Sequence, residues 1–391
     1  MKKVLAMLVA VMLLASLTSC GTTNKGSASS TSNEIVIGSL QDISGPTSVN
    51  GKAVDEGVDF AANAINEQGG VNGKKIRVVH YDTKGNVQEA INAYNRLATQ
   101  DKATAVVGPP VANIGIALAP ISNTNKVPIV GGYLDLRATL IRLQGNVTPY
   151  TYMFRIQPSA PEQAQIMASY AMDVMHLKKF AIFYNQSNAY SLSLVQPFED
   201  YVKSHGGQIL DVEVYEANDK QFKTQLSKIK NTNPDAIYAP NYTQELVLFA
   251  QQARALGITV PFICGLDAAP PFASLAGDAA NNVIFPNNIS NDEPQLQSVL
   301  KAYKAKYGTE PINKFYLGYD SVLLIVQAIK DAKSTDPIKV AEAIAHVKNL
   351  HGMTGNITIS PKTHGPVGLS MVMFEIQNGQ YVAKRRYSVK D

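Results

Sequence analysis

The sequence predicts an α/β protein with two lobes, each a doubly wound parallel sheet with helices on both faces. The first observation is a strand, a helix and a second strand within residues 34–82, because such a βαβ unit places its strands parallel. The second is that strands and helices alternate up to residue 130 and that the alternation restarts after residue 158. The third is that 391 residues of 45% hydrophobic composition suffice for two separate cores.

The first βαβ unit is the clearest part of this pattern. An apolar, β-prone run at residues 34–40 and a returning run at residues 75–82 predict the two strands. The helix between them presents one apolar face, at spacings of four, three and four, formed by Val54, Val58, Ala61 and Ile65. The loop at residues 42–48 therefore lies at the carboxyl edge of the strands, where open parallel sheets bind ligands.

The rest of the first lobe continues the alternation. Asn86 is a typical N-cap for an amphipathic helix from Val87 to Leu97. Short buried strands are predicted at residues 104–107 and 127–130, with a helix around residues 114–121 between them. Residues 152–158 are predicted to make the first crossing to the second lobe.

The second lobe repeats the pattern before the chain returns. Strands are predicted at residues 180–184, 209–215, 236–238 and 262–264, with helices around residues 166–174, 194–201, 222–229 and 243–256. The return crossing is predicted at residues 283–286. Helices predicted around residues 296–303, 322–329 and 340–347 then belong to the first lobe. The tail differs, because two apolar runs around Asn378-Gly379 are typical of a β-hairpin with a type I′ turn.

The N-terminal segment predicts export. Lys2 and Lys3 precede an apolar run at residues 4–17, which is shaped like a secretory signal and is short for the roughly 30 Å of a bilayer core. Residues 17–21, Leu-Thr-Ser-Cys-Gly, resemble a bacterial lipobox, which implies lipid attachment at Cys20 and anchoring on the outer side of the cytoplasmic membrane. The alternative is an ordinary signal with a chance cysteine. Residues 21–33, rich in Ser, Thr and Gly, predict a flexible tether.

The composition argues against several other classes of protein. A formal charge of +4, of which Lys2 and Lys3 supply two units, gives no basis for nucleic-acid binding. Only Cys264 remains beyond Cys20, and the six histidines are scattered, so we expect no metal and no cofactor. No Gly-x-Ser-x-Gly elbow and no His-Glu-x-x-His motif occurs. No stretch argues for an enzyme.

Several motifs resemble one known family. Residues 37–46 read Ile-Gly-x-Leu-x-x-x-Ser-Gly-Pro, and residues 64–76 read Ala-Ile-Asn-Glu-Gln-Gly-Gly-Val-Asn-Gly-Lys-Lys-Ile. Val-Gly-Pro at 107–109, Ala-Gly-Asp-Ala-Ala at 276–280 and Leu-Gly-Tyr-Asp at 317–320 extend the match over nearly the whole mature chain. In these motifs the sequence closely resembles the extracytoplasmic solute-binding proteins for leucine, isoleucine and valine, which belong to the branched-chain amino acid ABC transporters.

The resemblance implies a type I periplasmic binding protein fold, with two lobes joined by a three-segment hinge. It places the third crossing near residues 357–366 and makes closure about the hinge the expected motion. The predicted organisation is a lipoprotein signal peptide (1–20), a tether (21–33), a first lobe (34–154 plus 286–360) and a second lobe (155–285 plus 361–391).

In the first lobe, the loop from Gly108 to Asn113 leads into a helix whose free N–H groups and dipole can receive an anion. The resemblance adds a serine hydroxyl, but counting from Gly108 places that serine on Ala112, with Asn113 as the nearest substitute. Where the family has Ser-Pro-x-Ala-Thr, residues 131–135 read Gly-Gly-Tyr-Leu-Asp. Tyr133 and Asp135 therefore either reshape the pocket, with Asp135 contacting a ligand amine, or pack on the hinge and cap the next helix.

In the second lobe, the resemblance implies that Tyr190 and Tyr242 line the cleft, with core packing as the alternative for both. Asp267 stands at or next to the acidic residue that receives the ligand ammonium, although Leu266 can take that register. On the facing side, Asn50 is a further ligand-binding candidate at a position that is often aromatic in the family. Tyr316, which precedes the helix near Tyr319, is a candidate to close the far side of the pocket.

Together these features predict an extracytoplasmic solute-binding lipoprotein of an ATP-driven importer, which binds a small amino acid of the branched-chain type, or a related carboxylate, by closing its hinge. Its expected partners are the small ligand, the permease subunits and, through the lipid, the membrane. A ligand-sensing receptor subunit of the same fold, a binder of an aromatic or amide solute, and an enzyme on the same scaffold are the alternatives.

Overall fold

The computed structural model describes residues 34–388. The predicted signal peptide, the tether and Cys20 lie outside the described residues. Within residues 34–388 no helix has the length and apolar character needed to cross a membrane.

The first part of the chain forms seven strands and three helices. Their bounds are β1 (Glu34–Gln41), α1 (Ser48–Glu67), β2 (Lys75–Asp82), α2 (Val87–Thr99), β3 (Ala105–Gly108), α3 (Ala112–Asn125), β4 (Ile129–Gly131), β5 (Leu140–Leu143), β6 (Asn146–Pro149) and β7 (Met153–Arg155). A 3₁₀ turn at Leu136–Ala138 follows β4. The predicted N-cap of α2 is confirmed, because the Asn86 side chain accepts hydrogen bonds from the N–H groups of Gln88 and Glu89.

The next part alternates helices and strands as predicted. Its elements are α4 (Ala160–Ser169, continued by a π turn at Tyr170–Val174), β8 (Lys179–Asn185), α5 (Ala189–Ser204), β9 (Gln208–Tyr215), α6 (Lys223–Asn231), β10 (Ala236–Ala239), α7 (Thr243–Ala255), β11 (Phe262–Cys264), α8 (Phe272–Ala276) and β12 (Val283–Asn287). Two 3₁₀ turns, Leu266–Ala268 and Gly277–Ala280, flank α8.

The last part consists of three helices and two hairpins. They are α9 (Gln297–Tyr307, after a 3₁₀ turn at Pro294–Leu296), α10 (Asn313–Ala332), α11 (Pro337–Ile344), β13 (Leu350–Gly352), β14 (Gly355–Ile357), β15 (Met371–Gln377) and β16 (Gln380–Tyr387). Asn378 and Gly379 both have positive φ, 51° and 73°, as the predicted type I′ turn between β15 and β16 requires.

Two main sheets confirm the predicted α/β class. The first has the order β2-β1-β3-β4-β7 and is parallel throughout. The second has the order β16-β15-β12-β11-β10-β8-β9, in which β8 to β12 are parallel and the C-terminal hairpin adds two antiparallel strands at one edge. Buried clusters lie on both faces of each sheet, so each lobe is doubly wound.

Some local predictions differ from the structure. Residues 283–286, predicted at the return crossing, lie within strand β12, which pairs with β11 and with β15, so the chain leaves the second sheet after Asn287. Helix α1 begins at Ser48 instead of Val54. The short β5–β6 and β13–β14 hairpins were not predicted, since their strands have only three or four residues and little burial.

Hydrogen bonds join the three segments in which the chain passes between the sheets, which follow β7, follow β12 and precede β15. The backbone N–H of Arg155 donates to the carbonyl oxygen of His364 at 2.7 Å, and its Nε donates to the carbonyl oxygen of Gln157 at 2.9 Å. The Gln157 side chain in turn accepts from Asn288 Nδ2 at 3.4 Å. Burial lowers the pKa of Arg155 to about 10, so the guanidinium stays charged at neutral pH. It lies against Gly365, where a Cβ would overlap it.

His80 on β2 lies between two carboxylates of α1. Its Nδ1 is 2.8 Å from Asp55 Oδ1 and its Nε2 is 3.1 Å from Asp59 Oδ1. The hydrogen bonds to Asp55 and Asp59 raise the pKa of His80 from 6.5 to about 10. The protonated imidazole therefore links the first sheet to its covering helix at neutral pH.

This linkage makes the stability of the first lobe dependent on pH. Because the folded-state pKa of His80 is raised, its contribution is full below pH 6.5, declines above that value and is lost as the pH rises through about 10. The side chain is 41% exposed, so we expect a contribution on the order of only 1 kcal/mol. Denaturant unfolding of the wild type and His80→Gln should show a difference in unfolding free energy that closes between about pH 6 and pH 10. A difference that stays constant over this range would contradict the assignment.

Candidate functional site

The loops at the carboxyl ends of the two sheets meet between the lobes. Asn50 Nδ2, in the first turn of α1, donates to Asp267 Oδ1 at 3.0 Å, and the backbone N–H of Ala189 donates to Asn113 Oδ1 at 3.0 Å. Ala112 packs in the same buried cluster as Tyr190 and other residues of the second lobe. The two lobes are therefore in direct contact across the predicted cleft, as in a closed form.

Asp267 is the buried acid of this junction. It lies in the 3₁₀ turn after β11, where the turn directs its side chain toward Asn50, while Leu266 packs in the second-lobe core. The residue is only 4% exposed. No ion pair formed within residues 34–388 includes its carboxylate. A buried carboxylate without a cation is costly, which makes Asp267 the strongest candidate for contact with a positively charged ligand group.

Tyr190 and Tyr242 form a stacked pair beside Asp267. Their ring centroids are 4.8 Å apart and their planes differ by 8°. Tyr190 stands in the first turn of α5 behind the N-cap Asn188, and Tyr242 stands at the N-cap position of α7. Burial first, and then the charge of Asp267, raise the pKa of both hydroxyls, so both remain neutral at physiological pH. The pair offers an apolar surface with two hydroxyl groups next to a carboxylate.

Gly265 makes room for this pair. A Cβ at position 265 would lie within 3.0 Å of the Tyr190 hydroxyl oxygen. The absence of a side chain before Asp267 therefore lets Tyr190 approach the turn that carries the acid.

The N-terminus of α3 is the candidate site for an anionic group. Its N-cap, Val111, offers no side-chain acceptor, and the first intrahelical bond runs from the N–H of Gly115 to the carbonyl of Val111. The N–H groups of residues 112–114 thus have no acceptor within the helix. A hydrogen bond between the Ala112 backbone and the Tyr242 hydroxyl, which lowers the pKa of that tyrosine, connects this end of α3 to the tyrosine pair.

Tyr133 is not part of this group. Its ring lies in the core of the first lobe with 0% exposure, against positions where Gly108, Gly115 and Gly131 leave space for it. The ring packs within the first lobe, in a cluster that includes Met153, and not among the side chains that meet between the lobes.

Asp135 is paired within its own loop. Its Oδ1 accepts from the Arg137 backbone N–H at 2.8 Å, which caps the following 3₁₀ turn, and its Oδ2 is 2.5 Å from Arg137 Nη2. Asp135 therefore caps the turn that follows it, which is the second of the two alternatives for this residue. Its charge still contributes to raising the pKa of Tyr242, so Asp135 lies near the junction although its carboxylate is already neutralised.

Tyr316 also stands apart from the group. It is fully buried in the first-lobe core, and its hydroxyl donates to Asn291 Oδ1 at 3.1 Å. Of the nine predicted binding residues, the structure brings together six: Asn50, Ala112, Asn113, Tyr190, Tyr242 and Asp267.

A polar network beneath the second-lobe loops was missed by the sequence analysis. Asn241 Oδ1 accepts from the backbone N–H of Asn185 at 3.1 Å and from the Tyr215 hydroxyl at 2.9 Å. Asn185 Nδ2 donates to Glu245 Oε1 at 2.7 Å, and burial raises the pKa of Glu245. The available signal was that Asn185 ends β8 and Asn241 closely follows β10, at the same edge of the sheet. The network fixes the loops that carry Tyr190 and Tyr242.

The arrangement provides binding groups of both signs. One side has a buried carboxylate, the other has the N–H groups of Asn113 and Ile114, which have no acceptor within α3, and a pair of tyrosines connects them. Within residues 34–388, no three His, Cys, Asp or Glu side chains are grouped so that they could hold a metal ion.

Proteins similar to this chain are solute-binding proteins. A family model described as a periplasmic binding protein matches residues 34–380. The Leu/Ile/Val-binding protein homolog 7 of Brucella abortus is 27% identical over 345 residues, which is 84% of each chain. The Leu/Ile/Val-binding protein BraC3 of Rhizobium johnstonii is 25% identical over 354 residues, which is 90% of this chain and 94% of that one.

Solved structures extend the similarity over both lobes. The leucine binding protein LivK from Thermotoga maritima MSB8 aligns with a TM-score of 0.82 at 29% identity, covering 90% of this chain and 99% of that one. The branched-chain amino acid transporter substrate binding protein LivJ from Streptococcus pneumoniae, solved in complex with isoleucine, aligns with a TM-score of 0.83 at 28% identity. That alignment covers 91% of this chain and 100% of the other. The predicted type I fold is confirmed by these alignments.

Proposed function

The chain belongs to the periplasmic binding protein family, in the group that serves branched-chain amino acid ABC transporters, and from this premise we propose that it binds a small amino acid of the branched-chain type between its lobes. The observation that carries the proposal is the burial of the Asp267 carboxylate. This carboxylate is buried at the junction and has no cationic partner among residues 34–388. An α-ammonium group would supply the missing charge.

The other ligand groups have complementary surroundings. The ligand carboxylate would take the N–H groups of Asn113 and Ile114 at the start of α3, where the helix dipole favours negative charge. An aliphatic side chain would pack on the stacked rings of Tyr190 and Tyr242, and its burial would contribute about 1.5–3 kcal/mol. Opening of the lobes exposes these groups, and closing removes them from water.

The delivery of the ligand follows from the same premise. The two lobes would close around the ligand, and the closed form would dock on the permease subunits of an ABC importer. The lipobox around Cys20 supports a lipid anchor on the outer side of the cytoplasmic membrane. Mass spectrometry of the mature N-terminal peptide, which would carry a diacylglyceryl group on Cys20, tests the anchor independently of ligand binding.

The ligand itself is tested by stabilisation. We expect leucine, isoleucine or valine to raise the unfolding free energy of the purified protein by about 2.7 kcal/mol at a hundredfold excess over the dissociation constant. Mass spectrometry of small molecules released on denaturation should identify the bound species, and a thermal-shift panel that includes aromatic carboxylates and amides should rank it. If only an aromatic carboxylate or an amide stabilises the protein, the amino-acid proposal is wrong.

A further inference from the structure

Asn113 makes a contact that differs from the role its sequence position predicts. It stands in the first turn of α3 in the first lobe, but its Oδ1 accepts the backbone N–H of Ala189 in the second lobe at 3.0 Å. Ala189 is the first residue of α5, and the next N–H of that helix, at Tyr190, is capped by Asn188 at 2.9 Å. The N-terminus of α5 is therefore capped by one residue from each lobe.

We propose that Asn113 is an interlobe latch, a positioning residue that stabilises the closed form by capping α5 of the opposite lobe. An N–H at a helix N-terminus has no intrahelical acceptor, so opening of the lobes exchanges the Asn113 bond for water. Because the α5 N-terminus carries positive partial charge, an oxygen acceptor from the other lobe is favoured there. The latch acts on closure whether or not a ligand is bound.

The side-chain bond between Asn50 and Asp267 also crosses the junction, but it is not independent of the ligand. The Asp267 carboxylate is the group that we assign to the ligand ammonium, so a substitution there alters closure and ligand contact together. The Asn113 bond uses only protein atoms. It therefore allows the closing equilibrium to be changed without removing the proposed ligand contacts.

The test measures the closed fraction of the full-length protein without ligand. Fluorescence energy transfer between dyes on Glu67→Cys in the first lobe and Lys220→Cys in the second, both exposed positions, reports the separation of the lobes. We expect Asn113→Ala to lower the ratio of closed to open molecules roughly fivefold, the equivalent of one ordinary hydrogen bond. Asn123→Ala, an exposed asparagine near the other end of α3, is the matched control and should change nothing.

Ala189→Pro removes the donor instead of the acceptor. Proline is favoured at the first helical position, and the extended conformation of Asn188, with φ of −105° and ψ of 116°, suits a residue that precedes proline. This variant should lower the closed fraction as Asn113→Ala does, and the double variant should be no lower than either single one. If the effects of the two single variants on closure multiply in the double variant, the proposal is wrong.

Asn113→Asp should change the closed fraction in the opposite direction. A carboxylate aimed at the α5 N-terminus strengthens the cap, so the closed fraction should rise, and it should not rise when Ala189→Pro is present. This arm decides the matter even if the wild-type closed fraction is too small to fall measurably. The proposal rests on the hinge closure of the proposed function, but no ligand is used. A failure to bind amino acids therefore leaves this result unaffected, and an unchanged closed fraction in all three variants contradicts only the latch.

Discussion

Asp267→Asn is expected to weaken the binding of L-leucine at least thirtyfold. The substitution keeps the shape of the side chain and its acceptor for Asn50, but it removes the negative charge that we assign to the ligand ammonium. Loss of one partner of a buried, hydrogen-bonded charge pair costs about 2–5 kcal/mol, and each 1.4 kcal/mol is a factor of about ten in the dissociation constant. Isothermal titration of the wild type and the variant with L-leucine, or with the amino acid released from the purified protein, measures the effect.

The stability of the unliganded variant separates this explanation from misfolding. Because the unliganded wild type holds a buried charge without a cationic partner, Asp267→Asn should unfold at the same or a higher temperature. Asp278→Asn, which removes an exposed carboxylate from the same lobe, should leave both affinity and stability unchanged. Unchanged affinity in Asp267→Asn would remove this residue from the binding site, and a large loss of stability would show that its role is structural.

The fold was predictable because its signals are local. The alternation of apolar periods sets the order of strands and helices, and single positions such as Asn86 and Asn378-Gly379 act through their nearest neighbours along the chain. Residues 283–286 were predicted at a crossing and lie at the end of strand β12, since an apolar run ending in proline does not show which sheet edge it joins. Its pairing with β15 depends on a hairpin almost ninety residues later in the chain.

The candidate site was predictable only in part, for the same reason. Tyr190, Tyr242 and Asp267 follow strands at one sheet edge, and a resemblance in these loops selected them. The bonds between Asn113 and Ala189 and between Asn50 and Asp267 join residues 76 and 217 positions apart, so no periodicity can reveal them. The sequence left two alternatives open for Tyr133, because three glycines on separate elements make the space that buries its ring.

Gly318→Ala is expected to lower the unfolding free energy by about 1–3 kcal/mol, although alanine is the better helix former. On an exposed helix this change gains about 1 kcal/mol. Gly318 instead stands where α10 crosses α1, and a Cβ there would lie less than 3.0 Å from the carbonyl oxygen of Val54. At Gly57 of α1, a Cβ would meet the carbonyl oxygen of Phe315 in the same way. Because the obstructing atoms belong to the backbones of two long helices, no side chain can rotate away, and the overlap outweighs the gain in propensity.

Urea unfolding of the wild-type protein and the Gly318→Ala variant measures the difference in unfolding free energy. Asn63→Ala, on the exposed face of α1, is the matched control and should change the unfolding free energy by no more than about 0.5 kcal/mol. A stabilised Gly318→Ala would mean that α1 and α10 are farther apart than described. Helix α1 carries Asn50 in its first turn, and α10 packs against α1. A larger distance between these helices would therefore also move Asn50 relative to Asp267 and weaken their hydrogen bond. The close approach of these two helices thus connects the packing of the first lobe to the residues that meet at the junction.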